Sequence, residues 1–211
     1  MEKTRLPEGP GRTIRQDRSR RTYRSLLAAG FALLETSEFE AITIAAIAKQ
    51  AGYSVGAFYA RFRNKDEFFD AMLAEHIRER SEARRKLLDD TSHDRLVDDL
   101  IEDLVGYYWK RRGFWRAVLM RSAHDPEFFA PIRESSREFV DLLTKRLQTD
   151  ANRRLSKTER ANIRFAAHMV LGMVNNRIVN RPQPSLIGHS TFVANLSRAF
   201  RLVSGFDALG A

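Results

Sequence analysis

Apolar residues recur every three or four positions along nearly the whole chain, and no run alternates apolar and polar side chains between turn signals as a half-buried strand would. The pattern predicts an all-α protein of about nine helices. A first helix is expected from about Arg20 to Glu35, with Tyr23, Leu27, Phe31 and Leu34 on one stripe and Leu26 and Leu33 beside it. Thr36 and Ser37 end it. Thr43 is placed to cap a short second helix, Ile44 to Ala51, because its hydroxyl can accept a hydrogen bond from a free N–H of the first turn. Gly52 follows as a stop suited to left-handed backbone. Ser54 can cap a third helix through about Phe62, and Asp66 a fourth that carries Phe68, Phe69, Met72, Leu73 and Ile77.

Beyond Leu88 the helices lengthen. Leu96, Leu100, Leu104 and Tyr108 form a stripe at i, i+4 spacing, and Gly113 is expected to separate it from a segment running Phe114 to Ala123. Pro126 favours a new first turn, after which Phe128, Phe129, Ile132, Phe139, Leu142, Leu143 and Leu147 mark a helix ending near Asp150. Ser156 and Glu159 have capping-box spacing at the head of a helix from Lys157 to about Asn180, which Arg181, Pro182 and Pro184 should stop. A last helix is expected over Leu186 to Ser204, closed by Gly205.

Composition narrows the function classes. Cysteine is absent from the 211 residues, which removes disulfide scaffolds, thiolate nucleophiles and Cys-ligated metals. The five histidines, His76, His93, His124, His168 and His189, are scattered, with no HExxH pattern and no Gly-rich phosphate loop, so neither catalysis nor a cofactor is indicated. No apolar run reaches the length of a membrane span, and a cytoplasmic location is expected. The segment Arg78 to Lys86 is basic, but Glu79 and Glu82 interrupt it, and it reads as a solvated helix face.

Charge then points to a partner. Lys and Arg number 36 against 27 Asp and Glu, a net of +9. Residues 1–65 hold 12 of the former and 6 of the latter, a net of +6, so two thirds of the excess lies in the first third. Residues 1–19, with Pro7, Gly9, Pro10 and Gly11 among several arginines, read as a flexible basic arm for a DNA groove or as a plain leader. Two short helices joined around a glycine describe a helix-turn-helix. Val55, Gly56 and Ala57 are small, as a helix that enters the major groove requires, while Phe58 and Phe62 can face inward. Arg61 is left to face solvent or DNA, and Arg63 and Lys65 flank the exit as candidate phosphate contacts, with the free N–H groups at Thr43 and Ile44 as another. The domain reading is an arm at 1–19, a DNA-binding domain at 20–65 and a second helical domain at 66–211.

The stretch Ile42 to Phe68, ITIAAIAKQAGYSVGAFYARFRNKDEF, resembles the DNA-binding signature of the TetR (tetracycline-repressor) regulators. The likeness extends back through Leu26, Leu27, Ala29 and Phe31 to Leu34. It implies a homodimer of all-helical subunits, each with an N-terminal three-helix reader and a larger helical domain that binds a small-molecule effector and dimerises. In such a protein Thr43 and Lys65 would hold phosphates, Ser54, Val55, Gly56 and Ala57 would meet base edges, and Tyr59 would contact backbone or base. Ala57 stands where Thr is common and Val55 where Lys often sits, which shifts weight towards thymine methyls and groove shape. Glu38 replaces a turn glycine and Gly30 a helical alanine.

The second domain offers residue types rather than motifs. Tyr107, Tyr108, Trp109, Phe114, Trp115, Phe128 and Phe129, with Met120, Phe165, Met169 and Met173, either line an apolar effector pocket or fill core; His124, Asp125 and His168 are polar candidates for the same pocket. Ile163, Ala167, Val170, Val174 and Ile178, then Phe192, Leu196, Ala199 and Val203, match the helix pair that forms the dimer interface in that family, a core-only role being the rival. The expected partners are double-stranded operator DNA, a second copy of the chain and a small, largely apolar effector, with no membrane. A repressor released by its effector is the reading, with an activator or an effector-independent DNA binder of the same fold as alternatives.

Overall fold

The computed structural model describes residues 10–180 and 188–209. Among them are nine α-helices and no strand: α1 Pro10–Leu34, α2 Ile44–Ala51, α3 Val55–Tyr59, α4 Lys65–Asp90, α5 His93–Lys110, α6 Arg112–His124, α7 Ala130–Asp150, α8 Lys157–Asn180 and α9 His189–Ser204. Short 3-10 turns occupy Phe39–Ala41, Pro126–Phe129 and Phe206–Ala208. The chain divides into two compact units, Met1–Ala74 and Glu75–Ala211, and α4 contributes residues to both.

In the first unit, the expected caps form. Thr43 Oγ1 accepts from the Ala46 N–H at 3.1 Å, and Ser54 Oγ accepts from the Ala57 N–H at 3.2 Å. Gly52 is left-handed, with φ 75°, and the next N–H, of Tyr53, closes onto the Ala48 carbonyl at 2.9 Å. Phe58, Phe62 and Phe68 then meet ring to ring with centroids 5.1–5.3 Å apart, sealing α3 to α4. Gly30 lies against this cluster. A Cβ built there would stand 2.6 Å from the Phe68 ring and 2.8 Å from Met72 Sδ, so the helical glycine buys close approach at a cost of about 1 kcal/mol in helix propensity. Glu38 needs no glycine: its φ is −75°.

Four expectations are corrected. The first helix extends back from Arg20 to Pro10, the edge of the described residues, because the Arg and Gln residues of this stretch propagate a helix without an apolar stripe. Residues 10–19 are therefore helical, not a flexible arm; residues 1–9 lie outside the described set. Asn64, not Asp66, caps α4, its Oδ1 accepting from the Glu67 N–H at 2.8 Å. Gly113 sits buried inside α6, and the break from α5 falls at Arg111. The last helix starts at His189; the expected stop at Arg181, Pro182 and Pro184 lies outside the described residues, as does Leu186.

The second unit packs α8 on α9 through Ile163, Val170, Val174 and Ile178 against Phe192, Leu196 and Phe200, all buried. Trp115 is fully buried and donates from Nε1 to Asn175 Oδ1 at 2.8 Å. The capping box closes as its spacing predicts: the Ser156 N–H donates to Glu159 Oε2 at 2.7 Å and the Glu159 N–H to Ser156 Oγ at 3.2 Å. Arg146 ties α7 to the end of α4, donating to the Leu88 and Thr91 carbonyls and to Asp150.

Candidate nucleic-acid interface

The caps of α2 and α3 leave a narrow ridge outside. Ser54, Val55, Gly56 and Tyr59 are exposed, Tyr59 by 55%, while Phe58 between them is buried. Ala57 is half-buried. Gly56 has neither a left-handed φ nor an internal neighbour that excludes a side chain: an added Cβ would meet nothing closer than Ser54 Oγ at 3.7 Å. The fold does not explain this glycine, which leaves close approach by something outside the chain. Thr43 is exposed, and its hydroxyl, already an acceptor for Ala46, still has its proton to donate beside the first free N–H groups of α2 at Ile44.

Two residues expected to meet DNA are engaged within the chain. Arg61 is turned inward, Nη1 donating to the Ala57 carbonyl at 2.9 Å and Nη2 to the Ser19 carbonyl at 3.5 Å. Lys65 directs its ammonium at the carbonyls of Phe39, Glu40 and Ile42, at 2.8, 3.1 and 3.1 Å, and stands over the Phe39 ring. Its three N–H groups hold the 3-10 turn that delivers the chain to Thr43. Arg63 is exposed and pairs with Glu67 at 3.0 Å. The sequence reading missed the outer face of α1, where Arg20, Arg21 and Arg24 are exposed around a shallow depression with Asp17 and Ser25. Their i, i+1, i+4 spacing, inside the helix expected from Arg20, was the available signal.

In the second unit, the expected pocket residues disperse. Tyr108 and Trp115 are core, Tyr107 is held by Glu79, and Met120, His124, Phe165 and Met173 are exposed. Phe128 and Met169 are half-buried. A cavity among the described residues draws on five helices: Arg80 and Arg84 of α4, Leu100 and Leu104 of α5, Phe139 and Leu143 of α7, His168 and Leu171 of α8, and Phe200 of α9 among others. His168 and Ala167 belong to its wall. The arginines overturn the reading of Arg78 to Lys86 as wholly solvated. Arg78, Arg85 and Lys86 are exposed, whereas Arg80 and Arg84 are 2% and 7% exposed. Met72, His76, Arg80, Arg84 and Leu88, at strict i+4 spacing, form one buried line, which was the missed signal.

The stripe expected at a dimer interface is likewise inward. Ile163, Val170, Val174, Ile178, Phe192 and Leu196 are buried within the subunit, and Ala199 and Val203 are half-buried. Apolar side chains left outside on α8 and α9 are instead Phe165, Met173, Val179 and Leu202.

A helix-turn-helix with a capped, slim second helix, followed by a larger helical unit, defines a DNA-binding regulator fold. Residues 26–72 match the family described as bacterial regulatory proteins, tetR family. Most of the chain is similar in fold to solved transcriptional regulators. A TetR transcriptional regulator from Rhodococcus sp. RHA1 superposes with a TM-score of 0.53 at 16% identity, over 89% of this chain and 97% of that one. FadR from Bacillus subtilis, in complex with stearoyl-CoA, gives 0.62 at 17% identity over 87% and 98%. NalD, the secondary repressor of the MexAB-OprM multidrug efflux pump in Pseudomonas aeruginosa, gives 0.61 at 22% identity over 86% and 95%. No curated protein matches the sequence. The chain thus carries a TetR-family DNA-binding domain within the fold of that family's transcriptional regulators. Among the described residues, no helix is long and apolar enough to cross a membrane.

Proposed function

We propose that this protein is a ligand-responsive transcriptional repressor that binds a palindromic operator as a homodimer and is released by a small, largely apolar effector. The observation that carries the reading is the exposed ridge Ser54–Val55–Gly56–Ala57, whose glycine has no internal cause. A helix N-terminus this slim fits the walls of a major groove, and Thr43 with the head of α2 supplies a phosphate contact at its side. Tyr59 is available to backbone or base. Dimerisation through α8 and α9 is supported by Phe165, Met173, Val179 and Leu202, exposed on a helix pair already packed as one layer. Effector response is supported by the cavity in the second unit, and by FadR, a protein of the same fold, being in complex with stearoyl-CoA.

Repression requires the effector to bind the DNA-incompetent state more tightly, and operator DNA then weakens effector binding by the same factor. The test is selection of bound sequences from a random duplex pool. The expected product is a palindrome whose half-sites lie about one helical turn, roughly 34 to 36 Å, or a multiple of it, apart. Recovery of duplexes without any shared sequence would sink the operator reading and leave an unspecific DNA binder.

A further inference from the structure

Among the described residues of the second unit, one buried arginine lies without a carboxylate partner. Glu79 is matched by Arg111 at 2.8 Å and also accepts from the Tyr107 hydroxyl. Asp103 is matched by Arg80 Nη2 at 2.6 Å. Arg84 has no carboxylate partner among the described residues. Its Nε is buried without a hydrogen bond, as are Nε and Nη1 of Arg80. The guanidinium of Arg84 rests over the Phe139 ring at 4.8 Å; the cavity beside it is lined mainly by apolar side chains, Val97, Leu100, Leu104, Val140 and Leu143 among them, with Ser136 and His168 as polar members, and Arg84 also lines a smaller depression with Ser81, Ser135 and Glu138. Burial is the largest influence on Arg84 and lowers its pKa, with Arg80 adding to the effect; the Asp103 charge and Tyr108, whose hydroxyl is its neutral hydrogen-bond partner, oppose it without supplying a matching anion in contact. The neighbouring His76 is neutral, so it adds no charge. Unpaired cations are scarcely ever kept in an apolar interior unless something arrives to meet them.

The space beside them is modest. The cavity leaves about 90 Å³ to the centres of water molecules, which at roughly 10 to 15 Å³ each is room for about seven waters, the bulk of a compact ligand of about ten non-hydrogen atoms.

We propose that this cavity binds a small carboxylate with an apolar alkyl or aryl body, its anionic group received by Arg84 and the free donors of Arg80, its body lying against Leu100, Leu104 and Leu143. One net positive charge selects a monoanion, and a planar guanidinium with open donors selects a carboxylate over a halide-like ion. Both arginines lie on α4, the helix whose first turns belong to the DNA-binding unit. This names the effector class of the repressor proposed above and rests on that reading only for calling the ligand an effector; binding itself is independent of it.

The experiment is calorimetric titration of the intact protein with octanoate, 1-octanol and octylammonium. Octanoate should bind about tenfold to a hundredfold more tightly than octanol, the range expected of a charge-assisted hydrogen bond, and octylammonium should not bind. Arg84→Met, which keeps the volume and removes the charge, should reduce the preference for octanoate over octanol to within about twofold. It should also raise the melting temperature, since an unmatched buried charge is gone, and that rise separates loss of a ligand contact from loss of the fold. Arg84→Lys should keep part of the preference. Equal affinity for octanoate and octanol in the unaltered protein, or a preference that survives Arg84→Met, would overturn the proposal. Octanoate that binds with this preference yet leaves affinity for the selected operator unchanged would uphold the site and strike the repressor mechanism instead.

Discussion

The two units treat their polar groups in opposite ways. In the DNA-binding unit most side chains that matter find partners a few residues away, Thr43 with Ala46, Ser54 with Ala57, Asn64 with Glu67 and Arg63 with Glu67, while Lys65 and Arg61 reach back to the Phe39–Ile42 carbonyls and to Ser19. The second unit instead buries His76, Arg80 and Arg84 on one line of α4 and surrounds them with side chains from α5, α6 and α7. Short-range satisfaction yields a rigid, smooth reader that presents backbone and small residues. Long-range burial yields a cavity with unmet donors, which is costly when empty and therefore responsive to what fills it. The difference teaches where to look for each function: shape in the first unit, unmatched charge in the second.

The largest expected effect tests the second unit. Burial, reinforced by Arg80, Arg84 and Arg111, pushes the His76 imidazole down to about 3 from its usual 6.5. Its ring stacks on Trp115 at 5.2 Å. Because the folded-state value lies below the unfolded one, the unfolded chain takes up the proton first. Stability from this residue is whole above pH 6.5 and is lost progressively as pH falls towards 3, at up to about 1.4 kcal/mol per pH unit, or about 2 kcal/mol by pH 5. Denaturant melts of the second unit's tryptophan signal between pH 7 and 5 measure it, and His76→Phe should flatten the profile over that range. A slope unchanged by His76→Phe would mean that the acid sensitivity lies elsewhere.

Next in size is a change to the first unit that sequence arithmetic alone would score as favourable. Gly30→Ala in the middle of α1 should gain about 1 kcal/mol of helix propensity. The new methyl, however, would overlap the Phe68 ring and Met72 Sδ, and that ring is fixed by Phe58 and Phe62. Overpacking of this kind costs about 1–3 kcal/mol, so the net expectation is destabilisation by up to about 2 kcal/mol. Restoration of stability by the double change Gly30→Ala with Phe68→Leu would identify the ring as the cause; a more stable Gly30→Ala protein would show that the cluster yields.

The reader was legible in the sequence because its signals are short-range. Thr43, Gly52, Ser54 and the Phe58/Phe62 pair announce two helices and a turn within twenty residues, and the structure places each where the pattern put it. The second unit resisted for the opposite reason. Its cavity joins Arg80 to Phe200 across the whole length of the domain, so no window of sequence contains it. Aromatic content does not decide either: Tyr108 and Trp115, open between pocket and core in the sequence, are core, while Arg84 is buried although its sequence neighbours are charged and exposed. The α8 stripe was read correctly as apolar but could not reveal whether it faced α9 or a second subunit. Periodicity gives a face, never the identity of what covers it.

Lys65 offers the finest test, since the family likeness and the geometry assign it different work. As a phosphate contact, it would contribute about 0.9 to the dependence of log affinity on log salt concentration. In the structure all three donors are spent on the carbonyls of Phe39, Glu40 and Ile42, which steady the turn leading to Thr43. Lys65→Met should therefore lower the stability of the first unit by about 1–2 kcal/mol, the loss expected when carbonyls give up a charged donor. Its salt slope on the selected operator should equal that of the unaltered protein, with affinity reduced evenly across sequences as Thr43 is less well placed. A slope shallower by about one unit would mean that the ammonium leaves the carbonyls for a phosphate when DNA arrives, and the smooth, internally satisfied reader would then have a charge in reserve after all.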